Sequence, residues 1–416
     1  EALQAHSNPL EAWKSIIEDE EKAKQYKEAR GKGGFMRADW EEASMLVAAS
    51  LLYTVLKYGP DRNIGFSPIP AMSMLSYAGG SRFMHLMGAP MLSFYDWYAD
   101  LPPASPQIWG DQTDVPESSD WYNSSYIITW GSNIPLTRTP DAHFLAEARY
   151  RGAKVISLSP DYAESTKFAD DWLSVKQGTD GAVAMAMGHV ILNEFYVQNQ
   201  VNYFSNYVKK YTDFPFLVTL KKQDEGYIAD RFLNANDIGR STKNGEWKPV
   251  LMNDRSQKIA VPNGTMGSRW ENNRKWNLHL QDEDSNEVID PRLSLLGIEE
   301  KCVKLFIPYF GEGDTNVLER VVPIQTIKHD GETIYYTTVY DLMLANYGID
   351  RGIGGIVAKS YDDDVPFTPK WQEKITGVKS EQIIKIAREF AQNAIDTNGR
   401  SMIIVGAGIN HWFHSD

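Results

Sequence analysis

The middle of the chain alternates apolar runs with amphipathic segments, a pattern typical of parallel sheets flanked by helices. Residues Tyr126–Trp130 (YIITW) form a short, largely apolar run that predicts a buried strand. A helix is predicted near Asp141–Arg149, and a second strand follows at Lys154–Leu158. Strand, helix and strand at this spacing predict a βαβ unit of a parallel sheet.

Similar signals recur on both sides of this unit. Met45–Tyr58 has helical spacing and ends at a Gly-Pro pair, while Asn63–Ser67 predicts a short strand with a helix after it. Another helix opens at Gly178-Thr179-Asp180, where Thr179 or Asp180 suits the N-cap. Near the end, a helix precedes the strand Ser401–Val405. The fold class is therefore predicted to be α/β.

The pattern also suggests how the chain is divided. Residues 1–43 are charged and predict an N-terminal arm or linker, and residues 44–92 the first part of an α/β domain. Residues 93–221 and 336–416 predict a dinucleotide-binding-like α/β domain. Residues 222–335 are polar and rich in Asn, Asp and Lys with β-like fragments, which predicts an irregular, surface-lying, β-rich insertion. Both ends read as cuts through a larger protein.

Charge and cysteine content narrow the function classes. The 416 residues carry a formal net charge of −13 and no basic stripe, so a nucleic-acid partner is not expected. No apolar run approaches the roughly 18 residues of a membrane span. The single cysteine, Cys302, excludes a disulfide framework and a cysteine-ligated cluster within these residues, and predicts a buried structural thiol.

Three predicted βα turns are candidates for binding a nucleotide. They are Gly131-Ser132-Asn133, Ser159-Pro160-Asp161 and Gly178-Thr179-Asp180. Small residues at such turns let backbone amides approach a phosphate, and an acidic residue can accept hydrogen bonds from a ribose or a guanine edge. Taken singly, each pattern is more often that of a plain sheet turn. The absence of G-x-G-x-x-G counts against an NAD dehydrogenase.

A long aromatic loop carries the sharpest candidate for metal chemistry. Residues 93–133 read SFYDWYADLPPASPQIWGDQTDVPESSDWYNSSYIITWGSN and contain four Trp and four Tyr. Asp96 lies among four aromatic residues, where burying a carboxylate requires a compensating partner such as a hard metal ion. Residue chemistry alone does not select Asp96 over the other acids of the loop. Asn410, His411 and His414 follow a glycine turn at a strand end, where sites of α/β proteins usually lie, and His189 is predicted to be a packed or surface residue.

Several phrases together resemble the dimethyl sulfoxide reductase superfamily of molybdenum enzymes. Within it, the chain is similar to the catalytic alpha subunits of respiratory nitrate reductase and nitrite oxidoreductase. The resemblance covers nearly the whole chain and rests on the aromatic loop quoted above and on YGPDRNIGFSPIPAMSMLSYA, TRTPDAHFLAEARYRG, SPDYAE, KQGTDGAVAMAMGHVI and GRSMIIVGAGINHW. It implies Rossmann-like parallel-sheet domains.

The resemblance also implies a cofactor and roles for particular residues. The cofactor would be Mo-bis(molybdopterin guanine dinucleotide), with Asp96 as the protein ligand of the metal. Gly131, Ser132 and Asn133 would cradle a phosphate, and Pro160, Asp161, Gly178, Thr179 and Asp180 would bind a guanine and ribose end. Asn410 and His411, or His414, would lie near the metal. A 4Fe-4S cluster of the full subunit would have its ligands outside this chain.

The function implied is oxygen-atom transfer between nitrate and nitrite, with this fragment inactive by itself. The implied partners are an iron-sulfur electron-transfer beta subunit and a membrane or haem subunit of a membrane-associated complex. The compartment stays open. The alternatives are another Asp-ligated molybdenum enzyme acting on chlorate, selenate or a hydrocarbon, or a non-catalytic nucleotide-binding module.

Overall fold

The computed structural model describes residues 8–32, 36–66, 74–92, 108, 117–240, 243–264, 279–298, 301–309, 317–406 and 409. The chain divides into two compact units, one of residues 1–113 with 416 and one of residues 114–415. In the described ranges no helix is both long and apolar enough to cross a bilayer.

The first unit is mainly helical. Its described elements are helices α1 (Pro9–Ile17), α2 (Glu20–Ala29), α3 (Trp40–Tyr58) and α4 (Met74–Met87), and strands β1 (Gly65–Phe66) and β2 (Met91–Leu92). Asn8, Asp19 and Asp39 cap the first three helices through their side chains. β1 and β2 pair in parallel across α4, which confirms the predicted short α/β unit. The strand begins at Gly65 rather than Asn63, whose side chain donates to the carbonyl of Leu51 instead.

The second unit contains a four-stranded parallel sheet in the order β16-β3-β4-β5. These strands are β3 (Tyr126–Trp130), β4 (Lys154–Leu158), β5 (Asp171–Leu173) and β16 (Ser401–Val405). The predicted strands β3, β4 and β16 are confirmed at both ends, whereas β5 was not predicted. The associated helices are α5 (Ile134–Thr137), α6 (Ala142–Tyr150), α7 (Asp180–Ile191), α8 (Asn202–Tyr211), α9 (Val339–Asn346), α10 (Pro369–Thr376) and α11 (Ser380–Thr397).

Helices cover both faces of this sheet. On one face, Leu145 and Ala148 of α6 pack against Ile127, Val155 and Ile404. The other face is covered by α7 and α11, whose apolar residues surround Tyr126, Ile128, Trp130, Ile156 and Leu158. From β3 the chain runs through α6 to β4 and β5, and it returns through α11 to place β16 on the other side of β3. The strand order therefore reverses between β3 and β16, a topological switch point.

A second sheet occupies most of the remaining chain between α8 and α9. It has six strands in the order β13-β12-β7-β6-β15-β14. Their bounds are β6 (Leu217–Gln223), β7 (Gly226–Phe232), β12 (Cys302–Pro308), β13 (Val317–Pro323), β14 (Gln325–His329) and β15 (Glu332–Thr338). The short strands β8 (Leu251–Asn253) with β9 (Lys258–Ala260), and β10 (Pro262–Asn263) with β11 (His279–Asp282), form two-stranded sheets.

The expectation of an irregular, surface-lying segment over residues 222–335 is wrong. The six-stranded sheet has a buried core of its own, which includes Leu217, Leu233 and Leu305 at 0% exposure. β13 alternates exposed and buried positions over its first four residues, whereas β6 is buried from Leu217 to Leu220 and exposed from Lys221 to Gln223. Many residues of the sheet are therefore polar even though it is regular. Cys302 begins β12 and is half-buried. The domain boundaries predicted from sequence stay a prediction.

Candidate functional site

The predicted nucleotide-binding turns lie along one edge of the parallel sheet. Val405, Trp130 and Leu158 are the last residues of neighbouring strands, and they are in register. The residues that follow them, including Gly131 and Ser159, therefore meet at the carboxyl edge of the sheet. Gly178 lies a few residues beyond β5 at the same edge. Ligands of open α/β sheets bind at this edge, next to the switch point.

The first turn is held very close to the strand beside it. Gly131 has φ +59°, in the left-handed region, and its N–H donates to the carbonyl of Leu158 at 2.9 Å. The N–H of Gly406 donates to the carbonyl of Trp130 at 2.7 Å. A Cβ at Gly406 would lie only 2.0 Å from the carbonyl oxygen of Gly131. Glycine at 406 therefore permits β16 and the first turn to come together.

Asn133 closes the first turn with its amide group in a fixed orientation. Its Nδ2 donates to Oε2 of Glu164 at 2.8 Å, and a carboxylate can only accept, so the opposite amide orientation is excluded. This hydrogen bond holds the pKa of Glu164 below its ordinary value. Asn133 Oδ1 is buried and has no partner among the described residues. A buried acceptor of this kind is costly unless a donor reaches it.

The second turn is held by hydrogen bonds from β5, and its predicted binding residues are exposed to solvent. Trp172 donates its indole N–H to the carbonyl and the hydroxyl oxygen of Ser159, both at 3.1 Å. The hydroxyl of Ser159 donates to the carbonyl of Asp161 at 2.7 Å. Pro160 and Asp161 are exposed. This turn can therefore accept a ligand without breaking its own hydrogen bonds.

The third turn joins the first through a side chain. Gly178 has φ +73°, and Thr179 takes the N-cap position of α7. The predicted N-cap at Thr179 is confirmed, but its side chain does not cap the helix, because its hydroxyl donates back to the carbonyl of Lys176 at 2.7 Å. Asp180 accepts a hydrogen bond at Oδ1 from Nε1 of Trp130 at 2.9 Å. One carboxylate oxygen of Asp180 is thus engaged by the last residue of β3.

Two of these residues, Glu164 and Trp130, were not predicted as site residues. Glu164 lies in a 3-10 turn that carries no recognisable motif. Trp130 belongs to the apolar run of β3, and its indole N–H finds Asp180 some 50 positions later. The signal available in the sequence was a tryptophan at a strand end, since a buried indole N–H usually requires an acceptor.

His189 lies on α7 but faces the interior. It is 3% exposed, and its Nδ1 donates to the carbonyl of Tyr347 at 2.8 Å. Burial lowers the pKa of His189 to about 4. The ring is therefore neutral at physiological pH and packs as a core residue, one of the two roles predicted for it.

The predicted metal ligand, Asp96, lies outside the described residues. So do Asn410, His411 and His414, which were expected near the metal. Within the described ranges, no group of three or more His, Cys, Asp or Glu side chains gathers as a metal site. The described part of the candidate site is thus the carboxyl edge of the parallel sheet.

That edge fits the nucleotide end of a dinucleotide cofactor. Asn133 Oδ1, exposed Asp161 and the second oxygen of Asp180 offer acceptors, which suit ribose hydroxyls and the N–H groups of a base. The amides at the start of the 12-residue helix α7 offer donors beside them. The carboxyl edge therefore offers both hydrogen-bond donors and acceptors, which matches the donors and acceptors that a nucleotide presents.

Comparison with known proteins shows which protein family the chain resembles. The model of the molybdopterin oxidoreductase family matches residues 22–416. The nitrate reductase alpha chain of Bacillus subtilis (strain 168) is 70% identical over 416 residues, which is 100% of this chain and 34% of that protein. The respiratory nitrate reductase 1 alpha chain of Escherichia coli (strain K12) is 55% identical over 430 residues, again 100% of this chain and 34% of that protein.

More distant proteins match as well. The perchlorate reductase subunit alpha of Dechloromonas aromatica (strain RCB) is 33% identical over 388 residues, covering 93% of this chain and 36% of that protein. Among solved structures, acetylene hydratase from Pelobacter acetylenicus aligns over 38% of this chain and 22% of its own at 27% identity, with a TM-score of 0.26, too low to bear on the fold. The chain spans about a third of the length of the curated relatives it matches.

Proposed function

The chain belongs to the molybdopterin oxidoreductase family, and we propose that it is part of a subunit that interconverts nitrate and nitrite. The observation that carries this proposal is the 70% identity to a nitrate reductase alpha chain along the whole of this chain. Identity falls to 33% for a perchlorate reductase alpha subunit. The difference favours nitrate as the substrate over other oxyanions.

The family implies a molybdopterin cofactor, and we propose its bis(guanine dinucleotide) form. The carboxyl edge of the parallel sheet would hold one guanine nucleotide. In this proposal Gly131, Ser132 and Asn133 face its phosphate and ribose, while Pro160, Asp161, Gly178, Thr179 and Asp180 face the ribose and base. The unpartnered Oδ1 of Asn133 supports a donor such as a ribose hydroxyl at that point rather than a phosphate oxygen.

Asp96 is proposed as the protein ligand of the metal, with Asn410 and His411 or His414 near the substrate. A carboxylate oxygen suits a hard, highly charged metal ion. When bound, the molybdenum centre supplies two-electron oxygen-atom transfer, in which nitrate, two protons and two electrons give nitrite and water. The residues of this chain would ligate the cofactor, orient the anion and keep the site closed to bulk water.

The electrons require further parts of the protein. We propose a 4Fe-4S cluster elsewhere in the full subunit, an iron-sulfur beta subunit and a membrane or haem subunit as the electron route. The whole complex would then carry the activity.

The test is an Asp96→Ala variant of the complete complex. Nitrate reduction with an artificial electron donor should fall by at least about a hundred-fold, since a lost preorganised group at the reacting centre costs that much. Asp100→Ala, in the same aromatic segment, is the matched control and should retain activity. Molybdenum content is measured in both.

Three results would count against this proposal. An Asp96→Ala complex that reduces nitrate at a near-normal rate would refute the ligand assignment. A wild-type complex that turns over chlorate or selenate efficiently and nitrate poorly would assign another substrate. Purified full-length protein without molybdenum or pterin would leave only a nucleotide-binding module.

A further inference from the structure

Trp130 is fixed in place by both neighbouring strands. It ends β3, is 6% exposed and belongs to the core cluster under α7 and α11. It is in register with Val405 on one side and Leu158 on the other. Its carbonyl accepts the N–H of Gly406 at 2.7 Å. A side chain on such a rigid base can hold a neighbouring group in one position.

The group that it holds is the carboxylate of Asp180. The indole Nε1 donates to Oδ1 of Asp180 at 2.9 Å. Asp180 is the first residue of α7, in the third predicted turn. The hydroxyl of Thr179 is engaged with the carbonyl of Lys176, so Thr179 does not cap the helix with its side chain. The Trp130–Asp180 hydrogen bond therefore links the end of β3, directly before the first turn, to the third turn.

The hydrogen bond from Trp130 determines how the Asp180 carboxylate is oriented toward a ligand. A free aspartate at a helix start is drawn to the helix amides or to water, and it samples several rotamers. With Oδ1 engaged by a buried indole, the side chain has one orientation, and Oδ2 remains for a ligand. Fixing an acceptor before binding lowers the entropy cost of binding.

We propose that Trp130 is a positioning residue of the nucleotide site, holding Asp180 so that the first and third turns meet the cofactor as one preformed surface. The inference rests on the proposed function, because it takes the ligand to be the guanine nucleotide of the cofactor. Trp130 acts through Asp180 and needs no contact with the reacting atoms.

The experiment uses the full-length subunit in its complex and the variant Trp130→Phe, which removes the indole N–H but keeps an aromatic ring. Release of the cofactor from the loaded complex is followed by the fluorescence of the oxidised pterin after mild heating. We expect release about ten-fold faster than in the wild type, the scale of one hydrogen bond to a charged group. The unfolding temperature is measured for the loaded form and for the cofactor-free form made in a host without the pterin.

Trp121→Phe is the matched control. Trp121 is 3% exposed and lies in the core cluster on the opposite face of the same sheet. Its substitution should lower the unfolding temperature of loaded and cofactor-free forms alike and leave release unchanged. Trp130→Phe should instead shrink the difference between the two forms, because ligand-linked stability reports binding.

A double-mutant cycle tests the route through Asp180. In an Asp180→Ala background, Trp130→Phe should add no further loss of cofactor. Unchanged release in Trp130→Phe, or effects that simply add in the double variant, would overturn the inference. Nitrate turnover is assayed separately. A wild-type complex that keeps its cofactor but ignores nitrate contradicts the proposed substrate, while the release rates still decide the role of Trp130.

Discussion

Gly406 and Gly131 approach each other so closely that a single methyl group would not fit between them. A Cβ on Gly406 would lie 2.0 Å from the carbonyl oxygen of Gly131 and 2.5 Å from its carbonyl carbon. Both clashing atoms are backbone, so they cannot move aside as a flexible side chain could. The two residues follow β16 and β3, the strands that flank the switch point.

The first prediction concerns this contact. Gly406→Ala should destabilise the protein by about 1–3 kcal/mol or more, because an overpacked site must push strands apart. It should also loosen cofactor binding, since the first turn is displaced. Chemical denaturation of the full-length subunit measures the first effect, and cofactor content after purification measures the second.

Gly181→Ala is the control for Gly406→Ala. Gly181 is exposed on α7, and a Cβ there would meet nothing within 4 Å. Alanine should stabilise the helix by about 0.5–1 kcal/mol. If Gly406→Ala were as stable as the wild type, the close packing of β16 against the first turn would be contradicted.

The second prediction concerns the orientation of the Asn133 amide. Glu164→Ala removes the acceptor of Asn133 Nδ2 and frees the amide to turn. Cofactor release should become about 2–5-fold faster, the scale of one exposed hydrogen bond. Glu164→Gln keeps an acceptor oxygen and should release the cofactor at nearly the wild-type rate.

Glu147→Ala serves as the control for Glu164, because Glu147 is an exposed carboxylate on α6. Its release rate should equal that of the wild type. Equal release from Glu164→Ala and Glu164→Gln would show that the acceptor has no part in holding the nucleotide.

The third prediction is a pH dependence of stability through His189. Its pKa is lowered by burial to about 4 in the folded state, against about 6.5 when unfolded. The unfolded state therefore binds the extra proton between these values. The contribution of His189 to stability is complete above pH 6.5 and is lost as the pH falls through 4. At pH 5 the loss is about 2 kcal/mol.

His189→Asn isolates this effect. Asparagine can place a donor near the carbonyl of Tyr347 but does not titrate. Denaturant unfolding at pH 7.5 and pH 5 should show a smaller decrease in unfolding free energy for the variant than for the wild type. Identical decreases would mean that His189 can be protonated in the folded protein.

The fourth prediction concerns a buried ion pair beside the six-stranded sheet. Arg351 donates to Asp341, and the two side chains are 5% and 0% exposed. Asp341 also accepts from the hydroxyl of Ser294 at 2.7 Å and the N–H of Leu295 at 2.8 Å. Asp341→Ala leaves a buried cation and two donors unpaired, so the unfolding free energy should fall by about 3–5 kcal/mol.

The neighbouring pair Lys359–Asp350 provides the comparison. Lys359 is 71% exposed, and its Nζ lies 2.6 Å from Asp350. Asp350→Ala should cost less than about 1 kcal/mol, as exposed pairs do. Thermal unfolding of both variants tests the contrast, and similar losses would contradict the burial of the Asp341 pair.

The parallel sheet could be predicted because its strands carry local signals. β3, β4 and β16 are largely apolar runs bounded by polar or glycine residues, and each coincides with its predicted range. β5 has three residues and begins with Asp171, so it is too short to show a pattern. It is a strand because β4 pairs with it, which no local pattern reveals.

The six-stranded sheet shows why local composition misled the prediction. β15 pairs with β6, and the partners Tyr336 and Thr219 are far apart in the sequence. β13 alternates exposed and buried residues and β6 is exposed over its last three residues, so the average composition of the region is polar. The regularity appears only when distant strands are brought together.

The candidate site divides in the same way. The three turns were predictable because small and acidic residues follow strands. The hydrogen bonds that hold these turns in place could not be predicted. Trp130 meets Asp180, and Asn133 meets Glu164, only when the chain is folded. The residues proposed to bind the nucleotide carry sequence signals, whereas their supporting contacts are tertiary.

The position of β16 has a consequence for how the protein is made. This strand leaves the ribosome about 270 residues after its partner β3, which at ordinary rates of synthesis is a delay of roughly 15 to 50 seconds. During that time one edge of β3 lacks its neighbour, and Trp130 lacks the hydrogen bond from Gly406. The carboxyl edge is therefore finished late, so the nucleotide proposed to bind there can be loaded only after this region has been translated.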